Sequence, residues 1–453
     1  MAEASLDHST STCEGGQGEG GSSEEGAGGA TTSSVGQLGG GVEARKEEGS
    51  TATTSTFDRL PDELVSLVLF FAEDVCTLSA VCLDKRLYRL AVPIWASSLA
   101  PSQDGQPLLL QVLILRPDLQ PLVRDFSGYF AEPLTFGFEF TAIRLLSNLR
   151  NLTLSFVAGE ILPRAATDAL RSLPNLERLE FDLEVPILLE DESFSIGQHL
   201  PRLRHLKVTT YSSPTFLPQL FQHPCPNLEH LSVYDGTELL FSRIPWGSLR
   251  SVDIGLLRDS PTALEVVKEG LNSALLEANG TLPLLRKVWL DDYGFGAHRG
   301  VLNVVELFEP IGAAGVSHLS LRLTHGAIIV PTGIKPLPAV ERLRLRGSNT
   351  SIHEPDNLRA LSTLLSAFPS LRNLHLVNID FSDAPFYSLP NSAKDPSTRD
   401  FVTRSPALFD LLAHLRRSNV VYFELEQYLR RYKWTRSSRE EDFSVELYTT
   451  FGV

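Results

Sequence analysis

The chain has 453 residues, about three times the usual 150-residue domain, so more than one folding unit is expected. It is 42% hydrophobic and 21% charged, the make-up of a globular protein with a substantial core. Its 40 basic against 55 acidic side chains leave a net charge of −15, which argues against a general binder of nucleic acid or anionic membrane.

The charge is concentrated at the start. Residues 1–50 carry nine acidic and two basic side chains, with thirteen of the 32 glycines. Ordering glycine costs more backbone entropy than ordering any other residue, and little apolar surface is present there to offset it. Residues 1–56 are therefore expected to be a disordered Gly/Ser/Glu-rich tail. The opening MAEASLDHST lacks the basic-then-apolar order of a secretory signal, and no apolar run reaches the ~20 residues of a membrane span. Cys13, Cys76, Cys82 and Cys225 form no CxxC pair, so neither a zinc ribbon nor a disulfide scaffold is expected. The expectation is a soluble protein of the cytoplasm or nucleus.

A helical module is predicted over 57–98. Asp58 suits an N-cap, Pro61 a first turn, and Asp62 and Glu63 the positive end of the helix dipole. Leu60, Leu64, Leu67, Val68 and Phe71 then recur at spacings of three and four, giving one apolar stripe. A second helix is predicted through Leu78, Val81 and Cys82, and a third through Leu87–Ala91. Three short helices are too small to bury their apolar faces alone. These residues resemble the F-box: Leu60-Pro61-Asp62-Glu63-Leu64, Asp74-Val75-x-x-Leu78-x-x-Val81-Cys82, Lys85-Arg86-Leu87-Tyr88-Arg89 and Leu90-Ala91-Val92-Pro93, with the middle run two residues early. The resemblance implies docking to a Skp-type adaptor, and through it to a cullin. By position Leu60, Pro61, Leu64, Val68, Leu78 and Val81 would make the contact.

From residue 146 one phrase, Leu-x-x-Leu-x-Leu, recurs ten times. It starts at Leu149, Leu176, Leu203, Leu228, Leu249, Leu285, Val316, Val340, Leu371 and Val420, mostly at intervals of 21 to 36 residues. An earlier copy is expected at Leu110, Leu113 and Leu115. The end of each phrase alternates as a strand, and its apolar residues are buried only when other copies stack on either side. Helical patterns lie between copies, at Ala263–Ala278, Val301–Phe308, Leu358–Phe368 and Leu408–Leu415. The phrase and its period resemble leucine-rich repeats. The fold class implied is α/β: an irregular leucine-rich-repeat solenoid, ribonuclease-inhibitor-like and horseshoe-shaped, over 105–453 after the F-box-like module. It lacks the family's asparagine ladder, because the position three after the last Leu holds Val157, Glu184 or Tyr211.

The outward positions of the strands would form a concave target-binding face. Tyr234, Trp289, Arg322, Arg344, Arg346 and His375 stand there, after acidic Glu180, Asp182 and Asp253. Arginines beside aromatics suit an acidic or phosphorylated peptide, since guanidinium forks bind such groups bidentately. A solvated strand face explains the same composition. No GxxxxGK[ST], GxSxG or HExxH occurs, and Cys225 between Pro224 and Pro226 reads as a turn cysteine. Residues 381–406 read as a long polar loop. The expectation is a non-catalytic substrate receptor of a Skp–cullin–F-box ubiquitin ligase, without metal or cofactor. Its rival is a leucine-rich-repeat interaction scaffold whose N-terminal helices cap the solenoid.

Overall fold

A computed structural model describes residues 60–449 except 72–84, 103–104, 132–135, 158–160, 184–187, 211–215, 235–243, 257–260, 293–306, 324–333, 352–354, 382–404, 428–429 and 440. The tail expected at 1–56, the helix expected through Leu78 and Val81, and most of the 381–406 loop lie outside the described residues.

Ten expected phrases become ten strands in sequence order. They are β3 (Asn151–Phe156), β5 (Arg178–Leu183), β7 (His205–Thr210), β8 (His230–Tyr234), β9 (Ser251–Leu256), β10 (Lys287–Asp292), β11 (His318–Leu323), β12 (Arg342–Ser351), β13 (Asn373–Asp380) and β14 (Tyr422–Gln427). Each pairs in parallel with the next, and equivalent residues of the phrase stand opposite one another: Leu152↔Leu179, Leu206↔Leu231, Leu343↔Leu374, Leu376↔Leu425. Strands β4 (Ile161–Leu162) and β6 (Leu188–Leu189) form a separate two-stranded sheet. Register follows from burial. Leu152, Leu179, Leu206, Leu231, Leu343 and Leu374 are all at most 2% exposed, and a one-residue slip would turn each row into solvent. This is the stacked, leucine-rich-repeat-like arrangement that the phrase predicts.

Helices lie between strands where apolar spacing changes from two to three and four. Helix Pro261–Glu277 buries Val267, Leu271 and Leu275, and helix Pro406–Arg416 buries Leu408, Leu411, Leu412 and Leu415. Helix Pro355–Ser366 also falls where expected. Residues 301–306 lie outside the described residues, and a helix runs from Phe308 to Ala314.

The early copy at Leu110, Leu113 and Leu115 is corrected: those residues belong to helix Gln106–Leu115. The preceding repeat strand is β2 (Asp125–Phe130), with Val123, Phe126 and Gly128 at the phrase positions. Glycine hides the pattern there, and its neighbours explain why it stands in a leucine's place. Phe126 and Phe130 fill the space: a Cβ on Gly128 would lie 2.7 Å from Phe126 Cε1 and 2.9 Å from Phe130 Cε2. Phe130 stacks on Phe140 at 4.9 Å and on Phe156 at 5.1 Å, so rings supply the apolar volume that leucines provide elsewhere.

Both ends of the sheet carry elements beyond the repeats. At the N-terminal end, α1 (Asp62–Phe71) contacts α2 (Lys85–Ser97), which leads directly into β1 (Ser98–Leu99), paired with β2. Val92 of α2 packs on the solenoid core. At the C-terminal end β15 (Arg430–Thr435) and β16 (Ser444–Thr449) add antiparallel strands beyond β14, which the sequence reading did not anticipate. Trp434, 1% exposed, stacks on Phe423 at 4.8 Å. Arg436, 7% exposed, donates to the carbonyls of Leu415, Arg416, Ser418 and Val420. A cation therefore satisfies the end of helix Pro406–Arg416, where carbonyls lack partners and the dipole is negative.

Candidate functional site

Strand register lines up the outward side chains in rows. The central row includes Glu180, Lys207, Ser232, Asp253, Trp289, Ser320, Arg344, His375 and Glu424, one per strand, neighbours about 4.8 Å apart. Arg322 stands opposite Arg346, and Arg344 opposite His375, so four of the expected target-binding residues occupy β11–β13. Arg344 and Arg346 are exposed, whereas Arg322, His375, Tyr234 and Trp289 are half-buried. Tyr234 lies two strands from Trp289. Its ring covers Gly255, where a Cβ would overlap Tyr234 Cδ1, and its hydroxyl donates to Asp253. Only glycine at 255 leaves the ring that place. Val377, which strand alternation from His375 would turn outward, is buried.

The acidic and basic halves expected from chain order are interleaved with counter-charges. Glu180 accepts from Arg178 at 2.7 Å, and Lys207 Nζ lies 3.6 Å from its other oxygen. Beyond the arginines, His375 Nε2 is 3.3 Å from both Glu424 Oε1 and Glu426 Oε2. Burial pushes His375 below its ordinary pKa, opposed by Glu424. Burial would raise Glu424, but hydrogen bonds from the Tyr422 hydroxyl and Arg431 bring it below the usual carboxylate range. His375, Glu424 and Glu426 are the described residues whose ligand atoms cluster closely enough to hold a metal ion. The Arg431 guanidinium, bonded to Glu424, already takes the cation's place at that carboxylate, so the trio is better read as an ion-pair network.

A row two residues before the central one escaped the sequence reading. In it His205 and His230 stack at 4.3 Å with planes 6° apart, and burial pushes both below the ordinary histidine pKa. Nothing in the phrase marks these positions except that they precede its second apolar residue.

The leading edge of the strands carries a second ladder. The residue after each first apolar position offers its carbonyl to two successive amides of the next repeat: Arg124 O to Arg150 and Asn151, Arg150 O to Glu177 and Arg178, Glu177 O to Arg204 and His205, and onward to Arg372 O with Val421 and Tyr422. In four repeats asparagine reinforces it from two residues before that carbonyl. Asn148, Asn175, Asn227 and Asn419 donate to the carbonyls of Pro121, Ser147, Pro201 and Pro369 in the preceding turn. The asparagine ladder missing after the strands thus has a counterpart before them. Side chains along this edge alternate in charge: Arg150 lies 4.0 Å from Glu177, Arg204 4.0 Å from Glu229, and Arg250 3.4 Å from Glu229. Two adjoining depressions open there, of about 230 and 770 Å³, sharing Glu177 and Arg202. Cys225 lies in the larger one but is 5% exposed, and burial pushes its thiol up to about 11.

The expected adaptor-binding residues are divided. Leu60 is half-buried, Pro61 exposed and Leu64 49% exposed, beside Val65 at 0%. Arg86 fixes this opening, donating to Leu60 O at 2.5 Å and to Asp62 Oδ1 at 2.8 Å. Val68 lies on α1, with its side chain outside the description, and Leu78 and Val81 lie outside the described residues.

No family model matches the sequence, and no curated protein matches it. Among solved structures, the crystal structure of human trophoblast glycoprotein (5T4, Wnt-activated inhibitory factor 1) is similar at 17% identity, covering 60% of this chain and 78% of its own, with a TM-score of 0.26. No described helix is long and apolar enough to cross a membrane.

Proposed function

We propose that this chain is a non-catalytic recognition subunit: α1 docks a Skp-type adaptor of a cullin-based ubiquitin ligase, and the outward face of the sheet binds a target protein. The observation that carries the target-binding half is the ordered outward face, where Arg322, Arg344, Arg346 and His375 sit on three adjacent strands with Trp289 one strand away. Guanidinium forks and an indole at such spacing suit a protein ligand with acidic groups. Support for the adaptor half is the F-box-like opening itself. Leu60 and Pro61 lead into a helix whose Leu64 is half in solvent, an apolar residue left for a partner to cover. The test is adaptor capture by the full chain: Leu64→Asp together with Pro61→Ala should reduce it tenfold or more. Unchanged capture removes the adaptor half.

A second reading is favoured by α2. It feeds β1 into the sheet and packs Val92 on the solenoid core, as a cap would. Deleting residues 57–98 separates the readings. A receptor's solenoid stays folded without them, whereas a capped one unfolds or aggregates.

A further inference from the structure

We propose that the leading edge of the strands, rather than their outward face, holds a phosphoryl-binding site that receives an extended phosphorylated peptide. This inference goes beyond the function proposed above and rests on neither adaptor docking nor the arginines of β11 and β12. The smaller depression, about 230 Å³, is lined by Arg124, Arg150 and Arg202, with Asn148, Asn175 and Glu177. Three guanidiniums against one carboxylate leave a local charge of +2 on a chain whose net charge is −15. A phosphoryl monoester carries about −1.5 to −2 near neutral pH, so its charge matches where a single carboxylate's would not.

The donors are available. Arg124 is exposed, and among the described residues its side chain meets neither a hydrogen-bond acceptor nor a carboxylate within 4.0 Å. Arg202 uses Nη1 on Asn175 Oδ1 at 2.6 Å, and among the described residues it has no carboxylate partner within 4.0 Å. Arg150 meets Glu177 only at 4.0 Å. A guanidinium has five N–H donors in a rigid fork, so most donors of the three remain for a ligand oxygen. The backbones of Arg124 and Arg150 are fixed by the inter-repeat ladder, and the Arg202 fork is held by its bond to Asn175, so the forks are spaced before any ligand arrives.

The larger depression continues from Glu177 and Arg202 past Arg204 and Arg250 to Leu284, which is 46% exposed, with Pro224 and Pro245 between. From β2 to β10 the sheet steps six strands. At about 4.8 Å per step that is roughly 29 Å, the length of about nine extended residues. A short peptide can therefore lay its phosphoryl group at Arg124, Arg150 and Arg202 and an apolar side chain at Leu284. A free polyphosphate would have no use for that apolar end.

The test presents the immobilised full-length chain with a peptide library holding phosphoserine at its centre and nine degenerate positions on each side, long enough to reach Leu284 in either direction, and with the matched serine library. At least tenfold greater retention of the phosphoserine library is expected. Arg124→Ala with Arg202→Ala should lower it tenfold or more, while Arg344→Ala with Arg346→Ala should leave it unchanged. Arg124→Lys, which keeps the charge and loses the fork, should give an intermediate result in a chain with an unaltered circular dichroism spectrum. Equal retention of both libraries, retention that survives the edge substitutions or depends on Arg344 and Arg346, or binding of inositol hexakisphosphate alone would each overturn the proposal. Adaptor capture measured on the same variants is independent of all these outcomes.

Discussion

Replacing Gly128 by alanine is a sharp test of how the first repeats pack. In a strand interior this change ordinarily stabilises by about 0.5–1 kcal/mol, because glycine has more backbone freedom to lose. Here the added methyl would lie 2.7 Å from Phe126 Cε1 and 2.9 Å from Phe130 Cε2, well inside ordinary van der Waals contact. Neither ring has room to retreat: Phe126 and Phe130 are 2% and 0% exposed, and Phe130 is stacked on both Phe140 and Phe156. Overpacking of this kind costs about 1–3 kcal/mol, so the clash outweighs the entropy gain and the net loss is about 1–2 kcal/mol. The assay is urea unfolding followed by circular dichroism, read as a lower midpoint at unchanged slope. Gly137→Ala serves as the control. It sits in helix Phe136–Arg144 with nothing within 4 Å of the new Cβ, and should stabilise by up to about 1 kcal/mol. In Phe130→Leu two of the three obstructing ring atoms are gone and only Phe126 Cε1 remains, so adding Gly128→Ala there should cost clearly less than in the parent chain. A Gly128→Ala chain as stable as the parent, or an equal cost with leucine at 130, would refute the ring-filled account of this repeat.

Arg436→Ala should destabilise by about 3 kcal/mol in the same assay, because it strips charge-assisted hydrogen bonds from the end of helix Pro406–Arg416; a loss under about 0.5 kcal/mol would remove its capping role. Asn175→Ala should cost about 1 kcal/mol through its bond to Ser147 O, and Asn175→Asp, which cannot donate, should not restore it. Cys225, with its thiol raised to about 11, should resist iodoacetamide at pH 7.5 in the native chain and react in urea; rapid native labelling, mapped by mass spectrometry, would contradict its burial. Asp191 is pushed down to about 2, chiefly by the Ser193 hydroxyl and, against burial, by Arg171. Its folded pKa lies below its unfolded value, so its contribution is present above about pH 4 and lost as pH falls toward 2. Asp191→Asn should flatten that part of the acid-unfolding curve, and an unchanged curve would count against the contact.

Much of this molecule was legible in the one-dimensional pattern. Burial is a property each phrase states for itself: Leu152 and Leu154, or Leu343 and Leu345, can leave water only on one face of a strand stacked between copies. Ten strands, their order and their register follow from that requirement alone. The outward row was legible for the same reason, since period two fixes which residues face away.

What escaped were features set by partners distant in sequence. Gly128 broke the phrase because Phe126 and Phe130 had taken its volume, and no local pattern records who fills a space. The asparagine rungs before four of the strands, the Arg436 cap and the meeting of His375 with Glu424 join residues 16 to 50 positions apart through side-chain reach, which depends on how successive turns stack. The sequence by itself determined which side chains must leave water and hence the repeating strand; only the tertiary structure decided where the charges meet. Hydrophobic burial is summed locally, residue by residue, whereas ion pairs and hydrogen bonds require two particular atoms to arrive within about 3 Å of each other.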